Sequence, residues 1–478
     1  MSWEVRVVRN RYADSVRLMQ IAQAMRARDG VDSCEVVMGT AANVEALAAR
    51  GVTSDAGPTD VVIAVDAADG GAAAALEDAE RELSAPASAG GDAQAAVDPP
   101  RSLVAAARRL DAANVALISV PGQYAVLEAH RALTEGMHVF LFSDHVAAAD
   151  ELALKRRGAE LGLLVMGPEC GTAMLGGVGL GFANAVRQGP VGIVAAAGTG
   201  AQETSVLLDA AGAGVSQIIG VGGRDLSAEM GGLMFKQGMR LLAADDDTET
   251  LLLVSKPPAP EVVRELGSVD LGGKRVVAAF VGWEGGDAPF DIHPTLDAGA
   301  YAAAGTDPPE APELDAPPAD GALLGLYSGG SLAHEAVTVL APMLGRIGGN
   351  AGDGGDEGHA IFDLGEEEYT QGRPHPMVDL EVRLGMLRDA ARDDGVGCVL
   401  LDVVLGHGSH ADPAGGLAEA IADVARDHPV IAHVCGTPAD PQDARRQEAT
   451  LREAGATVAP TNAVAARLAG RALQGAPA

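Results

Sequence analysis

The sequence predicts an α/β protein of several domains: a Rossmann-like domain followed by two duplicated flavodoxin-like domains built on parallel sheets. Three observations carry this expectation. Continuous apolar runs (NVALISV, HVFLF, LGLLVM, VGIVAAA, SQIIGV, TLLLVS, RVVAAFV) recur with about 20 residues of helix-compatible sequence between them, and strands apolar throughout belong to sheets covered on both faces. Hydrophobic residues make up 47% of the chain but aromatics only 3%, so the cores are packed from Ala, Val, Leu and Ile. The segment from Gly189 is echoed by the segment from Gly321: GPVGIVAAAGTGAQETSVLL by GALLGLYSGGSLAHEAVTVL, TLLLVSKPPAPE by CVLLDVVLGHGSHADP, KRVVAAFVGWEGGDA by HPVIAHVCGTPADP, and IHPTLDAGAYAA by VAPTNAVAARLA. Four landmarks in one order indicate duplication of a strand–turn–helix unit of about 130 residues.

Residues 1–83 hold the short runs EVRVV, CEVVM and DVVIAV alternating with helical patterns, which predicts a small α/β domain. A Pro/Ala/Gly/Ser-rich stretch over 84–100 reads as a linker. The Rossmann-like domain spans 101–188 and the first repeat 189–301. A second linker, AAAGTDPPEAPELDAPPAD, covers 302–320, and the second repeat 321–478.

The net charge of −32 comes from 66 acidic and 34 basic residues, only four of them lysine. Such a surface repels nucleic acid, and its scattered acidity is what a salty cytoplasm selects. No apolar run reaches the roughly 18 residues that span a bilayer, which predicts a cytoplasmic protein with no membrane partner. The four cysteines are far apart and form no C-x-x-C, so neither a disulfide framework nor a thiolate metal site is expected.

In open parallel sheets, ligands bind where strands end and helix N-termini present unpaired N–H groups. The turns Gly198-Thr199-Gly200 and Gly329-Gly330-Ser331 fall at such junctions. They read as phosphate or carboxylate sites, against the plainer reading of tight turns that need glycine. Lys256 closes the next strand of the first repeat and is a candidate for stabilising a developing anion, or else a surface lysine in a Pro-rich turn. In the second repeat the corresponding strand ends in Gly406-His407-Gly408-Ser409-His410. Gly406 and Gly408 are candidate anion positions and His407 a candidate acid or base, with metal binding and a solvated loop as alternatives for the histidines. The acidic run GRIGGNAGDGGDEGH (345–359) lacks a calcium-loop pattern and reads as solvated loop. No tightly bound metal is predicted.

The stretch from NVALISVPGQYA through HVFLFSDHV to LGLLVMGPECG resembles the CoA-binding half of the succinyl-CoA synthetase α subunit. GPVGIVAAAGTGAQET through IIGVGGRDL resembles that subunit's ligase domain, and the segment from Gly321 the ligase domain of the β subunit. Both in one chain is the arrangement of FdrA-type proteins of that superfamily. The resemblance implies CoA as a candidate cofactor, held by Pro121, Gly122, Tyr124, Ser143, Gly167 and Pro168. It implies two ligase domains handling phosphate, an acyl phosphate or carbamoyl phosphate, small anionic substrates, and further protein subunits in a hetero-oligomer.

The chain also departs from the pattern. No histidine lies between Gly189 and Asp291, where α subunits carry one that becomes phosphorylated. Lys256 replaces a glutamate, and the glycine-rich CoA loop and the ATP-grasp module have no counterpart. The implied function is an acid–thiol ligase-like subunit working without the phosphohistidine. A subunit of an oxamate carbamoyltransferase in allantoin breakdown is the alternative, and a non-catalytic ligand-binding scaffold the third reading.

Overall fold

The computed structural model describes residues 3–11, 13, 15–26, 28, 30–67, 71–84, 100–110, 112–286, 288–313, 319–353, 358–370 and 374–474. Most of the first expected linker therefore lies outside the described residues. The chain forms two compact units, residues 1–98 with 370–374, and residues 99–369 with 375–478.

The first unit contains β1 (Trp3–Val8), α1 (Ser15–Arg26), β2 (Val31–Met38), α2 (Ala41–Ala49), β3 (Val61–Ala67) and α3 (Gly71–Ser84). Its sheet has the order β1-β3-β2 and is antiparallel throughout. The central strand is buried on both faces. Val61, Ile63 and Val65 pack with Leu18, Ile21 and Leu76, while Val62 and Ala64 pack with Leu47 and Val52, which is the alternation a strand imposes.

In the second unit, α4 (Leu103–Ala107), β4 (Val115–Ile118), α5 (Gly122–Thr134), β5 (His138–Leu141), α6 (Ala148–Leu161) and β6 (Val165–Met166) build a parallel sheet of order β4-β5-β6. There follow β7 (Thr172–Leu175), β8 (Val178–Gly181), β9 (Gln188–Ala195), α7 (Gly198–Ala210), β10 (Val215–Gly220), α8 (Leu233–Ala244), β11 (Thr250–Ser255), α9 (Pro260–Leu266), β12 (Arg275–Phe280), β13 (Asp291–His293) and α10 (Leu296–Ala304). The last part consists of β14 (Ala322–Tyr327), α11 (Gly330–Leu344), β15 (Ala360–Asp363), α12 (Glu367–Thr370), α13 (Glu381–Ala390), β16 (Val396–Val404), α14 (Pro413–Val424), β17 (Val430–Cys435), α15 (Ala444–Glu453), β18 (Thr457–Ala459) and α16 (Asn462–Gln474).

The duplication is visible in the topology. The five parallel strands of the first repeat run β10-β9-β11-β12-β13 and those of the second β15-β14-β16-β17-β18, both the flavodoxin order 2-1-3-4-5. The two repeats share one core, in which Ile193, Ala201 and Leu207 of the first continue into Leu332, Ala336, Leu340 and Leu468 of the second.

Three local expectations are corrected. The β7–β8 hairpin, inside the span 101–188, joins the sheet of the first repeat by pairing antiparallel with β10. Helix α10 runs to Ala304, so the second linker begins within its last turn. Part of the acidic loop is not solvated: Ile347, Gly348 and Gly349 are buried, and Gly348 bridges to Ala360.

Candidate functional site

In the flavodoxin order the switch point lies between the first and third strands, here β9 and β11. Helix α7 opens at that point with Ala197 as N-cap and no side-chain cap. The amides of Gly198, Thr199 and Gly200 have no acceptor among the described residues, so the first turn of a buried helix keeps its donors open, the requirement for an anion. A polar cleft of about 200 Å³, including its open mouth, faces this turn. It is lined by Gly198 and Ala197, by Glu169–Thr172, and by Gly220, Gly222 and Gly223. A Cβ at Gly198 would have only Thr172 Oγ1 near it, at 3.9 Å. Desolvation raises the Glu169 carboxyl above its ordinary range, against the pull of Arg224. Cys170 also lines the cleft, but burial pushes its thiol up to about 12, so it is no thiolate at neutral pH.

The glycine loop opposite α7 is fixed from behind by a buried charge network. Lys155, fully buried in α6, donates to the Val221 carbonyl (2.9 Å) and pairs with Glu151 (2.7 Å) and Asp225 (2.8 Å). Asp225 in turn takes the amides of Met234 and Phe235 at the start of α8. Arg224 pairs with Glu151 at 2.8 Å and donates to the Val146 carbonyl. This lysine thus spans two structural layers and sets the position of the cleft-lining loop. Nothing in its local sequence marks that role.

The second turn is occupied from within. Asp402, at the end of β16, accepts from the amides of Ser328 and Gly329 (both 2.8 Å) and from the Ser328 hydroxyl (3.0 Å). Arg383 neutralises it at 2.9 Å, with both side chains buried. The amide of Ser331 donates to Thr199 Oγ1 at 3.2 Å, which joins the two helix N-termini directly. A side chain at Gly330 would collide with Asp363 Oδ2 and come within 3.7 Å of Lys256 Nζ. The turn of the second repeat is therefore partly filled from within: Asp402 takes the Gly329 amide and Thr199 the Ser331 amide, while the Gly330 amide has no acceptor among the described residues.

The remaining candidates separate. Gly406 (φ +109°) and Gly408 (φ +86°) lie against Ala183 and Phe182, whose approach leaves no room for a Cβ. The His407 amide donates to the Ala183 carbonyl (2.8 Å) while the residue stays exposed, and His407 does not line the cleft. Gly122 is pressed onto the carbonyls of Asp144 and His145, and Gly167 onto that of Leu141. Ser143 is buried and donates to the Ile118 carbonyl, and Pro168 is buried. Only Pro121 and Tyr124 of the expected CoA set face outward, beside exposed Val120 and Leu127. His145 bridges Asp144 (3.0 Å) and Glu367 (2.8 Å), and Glu367, then Asp144, raise its pKa above the ordinary histidine value.

Deeper in the junction, two glutamates at equivalent places in the repeats are buried, Glu203 and Glu335. Glu203 pairs with His433 of the second repeat and takes the Asn462 amide at the start of α16 (3.5 Å). Glu335 takes the Leu296 amide at the start of α10 in the first repeat (2.6 Å) and the Asn462 side-chain amide (2.8 Å). Each repeat thus caps a helix of the other.

Against known proteins, the chain is 34% identical to the protein YahF of Escherichia coli K12, over 96% of both chains. This chain belongs to the YahF family. Residues 326–472 match the family model described as CoA-ligase, which covers nearly all of the second repeat of this YahF-family chain. The α-2 subunit of a mitochondrial ADP-forming succinate–CoA ligase from Trichomonas vaginalis is 28% identical over 36% of this chain, which spans 57% of that subunit. The corresponding α 2 subunit of Archaeoglobus fulgidus is 29% identical over 45% of this chain and 79% of its own length. Residues 1–99 match a model described as the heavy metal-associated domain of AllF. The residues described there do not fit a thiolate-held metal. Cys34 is that unit's one cysteine, its thiol is buried and pushed up to about 12, and among the described residues no three His, Cys, Asp or Glu side chains converge.

Proposed function

We propose that this YahF-family chain is a succinyl-CoA-ligase-like group-transfer subunit that holds a phosphate or the phosphoryl end of an acyl phosphate at the N-terminus of α7. The reading is supported by the amides of Gly198, Thr199 and Gly200, which have no acceptor among the described residues, with Gly198 lining the cleft, while at the matching turn of the second repeat Thr199 takes the Ser331 amide and Asp402 takes the Ser328 and Gly329 amides just before it. The α7 amides bind its oxygens, the α7 dipole offsets their charge, and the Gly222–Gly223 loop closes the opposite wall. Lys256 stands beside the junction and supplies positive charge to the leaving group. No histidine lies between Gly189 and Asp291, where α subunits carry the one that is phosphorylated, so in this reading the group is transferred from one substrate to the other without a phosphoenzyme. CoA would rest on the outward face formed by Val120, Pro121 and Tyr124, and would supply the thiol that accepts the acyl group. Activation of the acid by nucleotide would fall to a further subunit, in line with the ADP-forming ligases whose α subunits the chain resembles.

Calorimetric titration of the full chain with phosphate, acetyl phosphate and carbamoyl phosphate tests this reading. Binding that weakens at least tenfold in Gly198→Val, with the fold intact by circular dichroism, is expected. Equal binding by the variant would place the anion elsewhere. A response to carbamoyl phosphate alone would move the chain to carbamoyl transfer.

A further inference from the structure

We propose that Asp363 is the proton-transfer residue of this centre and that Lys256, from the other repeat, tunes it. This deepens the reading above and rests on it. Asp363 closes β15 and is 5% exposed. Its backbone is fixed on both sides by Asn350, whose Oδ1 takes the Asp363 amide (2.8 Å) and whose Nδ2 donates to the Asp363 carbonyl (2.9 Å). Its Oδ1 accepts from the Gly365 amide at 2.9 Å. Its Oδ2 has no hydrogen-bond donor among the described residues and lies against Gly330, the first residue of α11.

Two carboxylates therefore meet one helix end in different states. Asp402 is saturated, with two amides, a hydroxyl and a buried guanidinium on it. Asp363 is oriented just as firmly, but its Oδ2 carries no hydrogen bond among the described residues. The position that a Cβ at Gly330 would take lies 3.7 Å from Lys256 Nζ, so the free oxygen and the ammonium flank the same side of Gly330. Thr199 joins that turn to the α7 turn through Ser331.

The charged and titratable groups facing Asp363 are Lys256, Glu366, Asp402 and His375, whose ring lies against Gly365. Burial lifts the Asp363 carboxyl to about 6, with the Gly365 amide and then Lys256 pulling it back, a range suited to exchanging protons near neutrality. In transfer from an acyl phosphate to a thiol, the sulfur–carbon bond forms and the carbon–oxygen bond to phosphate breaks. The thiol proton passes to Asp363, and inorganic phosphate leaves and takes that proton.

The test is the pH profile of acetyl transfer from acetyl phosphate to CoA, in the full chain and in two variants. Asp363→Asn keeps the Gly365 contact and should bind acetyl phosphate within about twofold of the parent, yet lose at least a hundredfold in kcat together with the acid limb of the profile. Lys256→Gln should move that limb to higher pH, which a purely structural lysine would not do. Normal kcat and an unchanged acid limb in Asp363→Asn, with acetyl phosphate still bound, would overturn this inference alone. Failure of the parent chain to bind acetyl phosphate would overturn the functional reading and this inference with it.

Discussion

Glu203 Oε2 and His433 Nε2 lie 2.8 Å apart across the junction of the two repeats, at 1% and 2% side-chain exposure, though 230 residues separate them in the chain. Breaking a buried ion pair by removing one partner costs roughly 3–5 kcal/mol, because the other charge is left uncompensated. Glu203→Ala should lower stability by that order in denaturant unfolding, and Glu203→Gln, which keeps an acceptor for the imidazole, by less.

The same pair sets an alkaline limit. Burial alone would lower the His433 pKa, but the charge and hydrogen bond of Glu203, with the Ala459 carbonyl, raise it to about 9. A histidine whose folded value lies above its unfolded one contributes fully below about 6.5 and loses that contribution as pH rises through 9. Glu335, pushed up to about 8 by burial and then by Asp297, acts in the same direction. Thermal melts should therefore show Tm falling between pH 6.5 and 9, and the slope should flatten in Glu203→Gln. A flat parent curve would contradict the assignment.

Asp402 behaves as a built-in ligand for α11. Removing it in Asp402→Ala frees the Ser328 and Gly329 amides and strands the buried Arg383 guanidinium. The variant should be destabilised by about 3 kcal/mol or more, and sulfate should restore its Tm more than it raises that of the parent. Equal sulfate effects would argue against an emptied anion cradle.

Lys155 is the cation that holds the cleft-lining loop, so Lys155→Met leaves Glu151 and Asp225 facing each other without it. Loss of roughly 3–5 kcal/mol is expected, with weaker phosphate binding in whatever fraction remains folded. Isothermal titration beside a melting curve separates the two effects.

Much of the architecture could be read from the chain because period and repetition are local properties. The apolar runs became β4, β5, β6, β9, β10, β11 and β12 almost where they were expected, and the echo between Gly189 and Gly321 became two copies of one strand order. The Gly198 turn was legible too, since a glycine turn at a strand end is written in consecutive residues. Asp363, Asp402, Glu203 and His433 were not, because each gains its meaning from a partner far along the chain. A signal was present nonetheless. Asp402 interrupts VLLDVVL, Asp363 interrupts AIFDLG and His433 interrupts VIAHVC, and a polar group inside a buried apolar run must find a partner. The glycines at 122, 167, 406 and 408 are ambiguous in sequence for the opposite reason: close approach of protein backbone demands the same residue as close approach of a ligand.

The exchange of helix caps between repeats makes the polypeptide connection between them chemically redundant. Glu335 finishes α10 and Glu203 finishes α16, and the apolar core runs through both. Two fragments made separately, one ending at Glu313 and the other beginning at Ala319, would each display a raw surface that only its counterpart can satisfy. They should complement one another as a heterodimer does, so that one gene could be divided in two without loss of the protein it encodes.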